Sequence, residues 1–315
     1  MTVRIATRRS PLAKWQANHV AGLLRGREPG LDVRLHELVT RGDKILDVPL
    51  AEVGGKGLFV KEIEDALLQR QAEVAVHSMK DLPAFLAPGL VIAAVPVRED
   101  PRDALVSRGK TLSELPRGAR VGTASLRRTA QLLAVRPDLK VETIRGNVQT
   151  RLRKVEEGFD AVVLAYAGLR RLGLADRVTQ VLSVDEMLPA VAQGALAIEA
   201  REDDAATLAR LAPLDDASTR HQVEAERGLM RRLEGGCQVP IAAQATVDGG
   251  TVHLRGLVAS LDGSRIVRGE RSGPVSEAAA VGVALAEDLV SRGAGEILAQ
   301  IERGPGLTAP RRDPR

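Results

Sequence analysis

Val3-Arg-Ile-Ala-Thr-Arg-Arg-Ser-Pro-Leu-Ala13 reads as a short strand that turns directly into a helix. Val3 to Thr7 has the apolar, β-branched character of a buried strand. Ser10 and Pro11 suit the N-cap and first turn of a helix, because proline has no N–H to leave unpaired there. Leu12, Trp15, Val20 and Leu23 then recur as one apolar face. The turn between the two elements carries Arg8 and Arg9.

The same grammar recurs downstream. Ala72 to Val76 is a strand that ends in His77-Ser-Met-Lys-Asp-Leu-Pro83, a polar segment stopped by proline. Arg120 to Thr123 leads into Ser125-Leu-Arg-Arg128 and a helix running to Arg136-Pro137. Val141 to Ile144 leads into Arg145-Gly-Asn-Val-Gln-Thr-Arg151, and Ala161 to Leu164 into Ala165-Tyr-Ala-Gly-Leu-Arg-Arg171. Alternating strands and helices imply an α/β fold with largely parallel sheets, whose ligands bind beyond the carboxyl ends of the strands. Basic side chains repeated at those ends, beside helix N-termini with free N–H groups, describe an anion cleft.

After residue 190 the pattern changes. Ala195 to Ala200 is one more strand, and Ser218 is placed to cap a long helix through Leu233. The rest reads as a small α+β unit. Its segments Ala242 to Val247, Thr251 to Ser260 and Arg265 to Arg271 are parted by Asp248-Gly-Gly250 and Asp262-Gly263, which suit antiparallel hairpins. Helices near 276–291 and 294–303 follow, and the proline- and arginine-rich tail to Arg315 is expected to be disordered.

The 315 residues are 44% hydrophobic and 27% charged, ordinary for a globular chain, but only 2% aromatic. With few rings to stack bases and no block of consecutive basic residues, a net charge of +4 does not argue for nucleic acid. Dispersed arginines suit a small anion instead. No N-terminal apolar core precedes a cleavage site and no run of about 18 apolar residues occurs, so the reading is a soluble, cytoplasmic protein without a membrane partner.

The single cysteine, Cys237, lies in Leu233-Glu-Gly-Gly-Cys-Gln-Val-Pro240. A disulfide or multi-cysteine metal site within the chain is therefore excluded. Gly235 and Gly236 suit a helix end, which puts the thiol in an accessible loop, although a lone cysteine is also often a small buried hydrophobe. Gly54-Gly-Lys-Gly57 is not a phosphate loop, because Leu50 and Gly57 stand where a Walker A motif needs glycine and Ser or Thr. A mobile glycine-rich loop carrying Lys56, Phe59 and Lys61 fits better. The five histidines are scattered without metal-ligand spacing, so no metal is expected. His77 and Cys237 lack the surroundings of a cysteine hydrolase. Asp81, after a strand and beside Lys80, suits either an ion pair, the commoner use, or proton donation into a basic cleft. Arg127 and Arg128 alone would suit a solvated helix face; repetition of arginine at four strand ends favours an anion site.

Taken in order, these segments resemble the porphobilinogen deaminase family from about Arg4 to Ile301. The resemblance rests on Arg4-Ile-Ala-Thr-Arg-Arg-Ser-Pro-Leu-Ala13, Val39-Thr-Arg-Gly-Asp43, Val53-Gly-Gly-Lys-Gly-Leu-Phe-Val-Lys-Glu62, His77-Ser-Met-Lys-Asp-Leu-Pro83, Arg98-Glu-Asp-Pro-Arg-Asp-Ala104, Gly122-Thr-Ala-Ser-Leu-Arg-Arg128, Arg145-Gly-Asn147 and the cysteine loop. It implies two domains similar to type II periplasmic binding proteins, with mainly parallel sheets, plus a small C-terminal α+β domain. The implied boundaries are 1–97 with 194–214, 98–193 and 215–304, with 305–315 as tail.

It further implies a transferase, monomeric as is usual in the family, that joins four porphobilinogen molecules head to tail with loss of ammonia. The chain grows on a dipyrromethane cofactor linked to Cys237 through a thioether, and water releases hydroxymethylbilane. By this resemblance Asp81 is the catalytic carboxylate, helped by Arg8, Lys80 and Arg171, the last in elongation or release. Ser78, Lys80, Asp81, Thr123, Ser125, Arg127, Arg128, Arg145 and Gly146 would contact the cofactor. Arg8, Ser10, Arg145, Arg151 and Gln193 would hold substrate and the growing polypyrrole, with Lys56 and Phe59 on a lid loop. Arg9, Glu52 and Ala124 depart from the family pattern. The main rival is a non-catalytic anion-binding protein of the same fold, which would have no use for Cys237 in its glycine loop.

Overall fold

The computed structural model describes residues 2–40, 60–233 and 239–303. The opening stretch forms β1 (Thr2–Arg8) and α1 (Pro11–Arg27), with Ser10 Oγ accepting the N–H of Ala13 at 3.3 Å. There follow β2 (Asp32–Leu38), α2 (Lys61–Leu68), β3 (Val74–Ser78), a 3-10 turn at Met79–Asp81, and β4 (Leu90–Ala94). The chain then crosses to a second set of elements. These are β5 (Asp103–Ser107), β6 (Arg120–Gly122), α3 (Leu126–Val135), β7 (Lys140–Glu142), α4 (Val148–Glu156), β8 (Ala161–Ala165), α5 (Tyr166–Arg171) and β9 (Gln180–Val181). It returns with β10 (Leu196–Arg201) and α6 (Ala205–Leu211).

The two five-stranded sheets have the same plan, β2-β1-β3-β10-β4 and β7-β6-β8-β5-β9. In each, four strands run one way and the exception is the strand entering just after a crossing. β10 is antiparallel to β3 and β4, and β5 is antiparallel to β8 and β9. The antiparallel direction of β10 departs from a simple parallel reading of 195–200. Its cause is connectivity: β10 arrives from the other sheet, not through a local crossover helix, so the rule that keeps βαβ strands parallel does not apply. This shared order, with two chain crossings, is the type II binding-protein arrangement.

The third part contains α7 (Ala217–Arg232), the antiparallel sheet β11 (Ile241–Asp248), β12 (Thr251–Ala259), β13 (Ile266–Pro274), and helices α8 (Ala278–Ser291) and α9 (Ala294–Glu302). Asp216, not Ser218, caps α7, its Oδ1 accepting from Thr219 N at 2.8 Å. Helices α7 and α8 cross at two glycines. A Cβ on Gly228 would strike the Ala279 carbonyl, and one on Gly282 the Ala225 carbonyl. Their shared core includes Leu229, Val281 and Leu285, and continues into Met79, Leu82, Val95 and Ala195 beneath the first sheet. A second apolar cluster joins Ala130 of α3 to Leu257 and Ala259 of β12. The third part thus packs on both others. The expected lid residues Lys56 and Phe59, the departure Glu52, Cys237 and the tail 305–315 lie outside the described residues.

Candidate active site

Buried Met79 and Leu82 anchor the turn after β3, and Met79 N donates to Ala195 O at 3.0 Å. The intervening residues are thereby turned toward the gap between the two sheets. Ser78 Oγ accepts from Gln16 Nε2 at 2.7 Å, and Lys80 Nζ donates to Gln193 Oε1 at 3.2 Å. Asp81 is exposed. Among the described residues it has no ion pair, so the structural pairing that its position beside Lys80 suggested is not formed. His77 meets a carboxylate. Its Nε2 lies 2.9 Å from Glu199 Oε2, and both side chains are buried.

Across the gap, Thr123 is buried and its Oγ1 accepts from Ser125 N at 3.2 Å, shaping the entry into α3. Arg127 and Arg128 sit in the first turn of that helix, only 4% and 5% exposed, which removes the solvated-face reading. Both bond Asp103: Arg127 Nη1 reaches Oδ2 at 2.7 Å, and Arg128 Nε and Nη2 reach Oδ1 at 3.0 and 2.8 Å. Gln193 Nε2 joins them at 2.9 Å. Asp103 was not singled out by sequence reasoning. The available signal was a carboxylate heading an otherwise apolar strand, Asp103-Ala-Leu-Val106.

Gly146 takes φ of +102°, and its carbonyl accepts from Arg151 Nε at 2.9 Å, while Asn147 caps α4. Desolvation, then the charges of Arg128 and Arg145, push Arg151 down to about 10, against the pull of Asp81. Arg145 is half-buried beside it. Desolvation and Arg128 likewise push Lys80 down to about 8, opposed by Asp81 and Asp103. Asp81 and Arg128 therefore act on both Lys80 and Arg151, and Arg145 acts on Arg151.

Arg171 Nη2 donates to Gly194 O at 2.6 Å, and its guanidinium lies 5.7 Å from the Trp15 ring centre. Desolvation pushes it down to about 10. A cavity lined by Leu12, Ser78, Lys80, Gly168, Arg171 and Gly194 runs between α1 and α5. Arg8 is half-buried at the end of β1, and Ser10 is engaged as the α1 cap. Arg9 is exposed. A larger hollow of about 270 Å³, between α4 and Leu174–Arg177, contains none of these cations and carries the Arg177–Glu156 ion pair.

Two binding-protein-like units that face each other across a cation-lined gap define an anion-handling cleft, and an acid at the turn makes it a candidate enzyme site. Residues 3–209 match the family description "Porphobilinogen deaminase, dipyromethane cofactor binding domain", and residues 221–291 match "Porphobilinogen deaminase, C-terminal domain". The chain is 56% identical over 310 residues to the porphobilinogen deaminase of Syntrophotalea carbinolica, covering 98% of each. It is 56% identical over 300 residues to that of Geobacter metallireducens, covering 95% of this chain and 94% of the relative. The periplasmic aliphatic sulphonate binding protein SsuA of Escherichia coli is similar at 15% identity and TM-score 0.40, covering 74% of this chain and 70% of that one. The chain belongs to the porphobilinogen deaminase family, enzymes of tetrapyrrole biosynthesis whose first domains bind a dipyrromethane cofactor. No helix among the described residues is long and apolar enough to cross a membrane.

Proposed function

We propose that this chain is the transferase hydroxymethylbilane synthase, acting in the cytoplasm as a monomer. Its units are 1–97 with 194–214, 98–193 and 215–304. It condenses four porphobilinogen molecules head to tail, losing one ammonia at each step, and then releases the linear tetrapyrrole by adding water. The observation that carries this reading is the hydrogen-bonded linkage of Lys80 through Gln193 to Asp103, Arg127 and Arg128, with the charge of Asp81 acting on Lys80 and Arg151.

Each pyrrole ring brings an acetate and a propionate, so the growing product is strongly anionic while the chain's net charge is only +4. Positive charge must therefore be concentrated locally. Arg127 fits such a ligand: its Nε is buried without a hydrogen-bond partner and can serve a carboxylate. Thr123, Ser125, Arg127, Arg128, Arg145 and Gly146 would hold the dipyrromethane together with Ser78, Lys80 and Asp81, and Cys237 would bear its thioether. When bound, that group supplies a pyrrole whose free α-carbon is the nucleophile.

Asp81 directs its exposed carboxylate at the incoming ring. There it assists departure of the protonated aminomethyl nitrogen and stabilises the delocalised cation left on that ring. Arg8, Ser10, Arg145, Arg151 and Gln193 position the substrate carboxylates, and Arg171, tied to the Gly194 carbonyl, borders the path of the lengthening chain. Lys56 and Phe59 belong to a covering loop.

Intact mass of the denatured protein tests the reading. Wild type should carry two porphobilinogen-derived rings, or gain them on incubation with porphobilinogen, and Cys237→Ala should not. A bare mass that porphobilinogen does not change would rule out the enzyme.

A further inference from the structure

Asp103 opens β5, the first strand after the chain crosses between sheets, and is fully buried. Its Oδ2 is taken by Arg127, and its Oδ1 by Arg128 and Gln193. The three donors come from two places, the first turn of α3 and the returning crossing segment. Gln193 in turn accepts from Lys80 and donates to Pro101 O at 2.7 Å. One carboxylate therefore connects side chains that face the cleft from both units.

Burial alone would push this carboxyl up, but Arg127 and Arg128 outweigh that and hold it well below the ordinary carboxylate range. With both oxygens occupied, it offers no position to a reacting atom. Without it, two neighbouring buried guanidiniums would face Lys80 and Arg151 with no buried counter-charge bonded to them.

We infer that Asp103 is a positioning residue for condensation: it fixes Arg127, Arg128 and Gln193 in the arrangement that receives substrate carboxylates, and supplies the internal negative charge those cations share. The inference rests on this cleft being the place of condensation. Asp103 differs from Asp81 in role, since Asp81 is open to the ligand and Asp103 acts through its partners.

Asp103→Asn preserves shape and removes charge. In the purified holoenzyme, with folding checked by circular dichroism, KM for porphobilinogen should rise about tenfold or more. Lys80 would keep Arg127 and Arg128 near it and lose one of its two carboxylates, Asp81 remaining. The alkaline limb of the kcat/KM profile should therefore move down by about one pH unit. A carboxylate whose charge does not reach the cleft would leave that limb in place. A folded Asp103→Asn enzyme with wild-type KM and an unmoved limb overturns the inference.

Should that variant not fold, Asp103→Glu carries the test. Charge is kept while the carboxylate is displaced by one methylene, so KM should rise with the limb unmoved. Wild-type KM in Asp103→Glu overturns the positioning role. Wild-type protein that neither gains mass from porphobilinogen nor turns it over would instead remove the functional reading itself, which separates the two failures.

Discussion

Glu226 accepts hydrogen bonds from both terminal nitrogens of Arg98, at 2.6 and 3.1 Å, with both side chains buried. Its oxygens also take the backbone N–H groups of Ala192 and Ala245. Arg98 lies on the first crossing between the sheets, Ala192 on the second, Glu226 on α7 and Ala245 on β11. A single carboxylate therefore fastens both crossings to the third part of the molecule. Arg98 Nε continues the connection to Gln193 O at 2.8 Å, next to the side chain that bonds Lys80.

Arg98→Ala should accordingly destabilise the fold by about 3–5 kcal/mol, because a buried carboxylate loses its counter-ion while keeping its desolvation cost. Urea unfolding of wild type and variant measures this directly. A loss below about 1 kcal/mol would mean the pair behaves like a surface ion pair despite its burial.

Asp81→Asn should fold as wild type and lose about 10²–10⁴-fold in kcat, since an amide can neither deliver a proton nor balance a cation. Its exposed position and lack of an ion pair among the described residues make a stability effect small. Turnover of porphobilinogen at the wild-type rate would remove Asp81 from the chemistry.

The contrast between Asp81 and Asp103 shows where sequence reading reaches its limit. Strand, turn and the start of α1 are legible in Val3–Ala13 because each signal acts within a few residues, Ser10 Oγ accepting from Ala13 N as a cap does. The apolar face is less so: of Leu12, Trp15, Val20 and Leu23 only Val20 is buried, and Gln16, Ala17, Ala21 and Leu24 complete the buried side of the helix. Asp103 finds its partners 24, 25 and 90 residues away, so nothing local marks it. The direction of β10 is equally nonlocal, being set by the crossing and not by its own residues. Strands β2, β4, β5 and β9 carry no local signal that separates them from loop, and Asp216 and Ser218, with one residue between them, are both cap-forming types, so the sequence does not decide between them. The basic turns were legible as repetition, but which arginines are buried was not, because that depends on both units closing around them.

Arg127→Ala should lower the fraction of protein carrying the two-ring adduct, because it removes the buried Nε donor and one of the cations bonded to Asp103. The intact-mass distribution after purification, compared with Arg153→Ala on exposed α4 surface, reports the effect. Equal adduct fractions in the two variants would argue that Arg127 serves the fold alone.

Lys80 makes opposite predictions for binding and for stability. Its ammonium is lost above about 8 in the folded protein, while an ordinary lysine holds its proton to 10.5. Between those values the unfolded chain binds more protons than the folded one, so Lys80 makes the fold more stable as pH rises. Over the same interval the cleft loses a cation, so affinity for a polycarboxylate should fall. Porphobilinogen KM should therefore climb from pH 7.5 to 9.5, and Lys80→Met should show less of that climb and of the matching gain in urea resistance. Identical pH dependence of both quantities in wild type and Lys80→Met would show that another group titrates there.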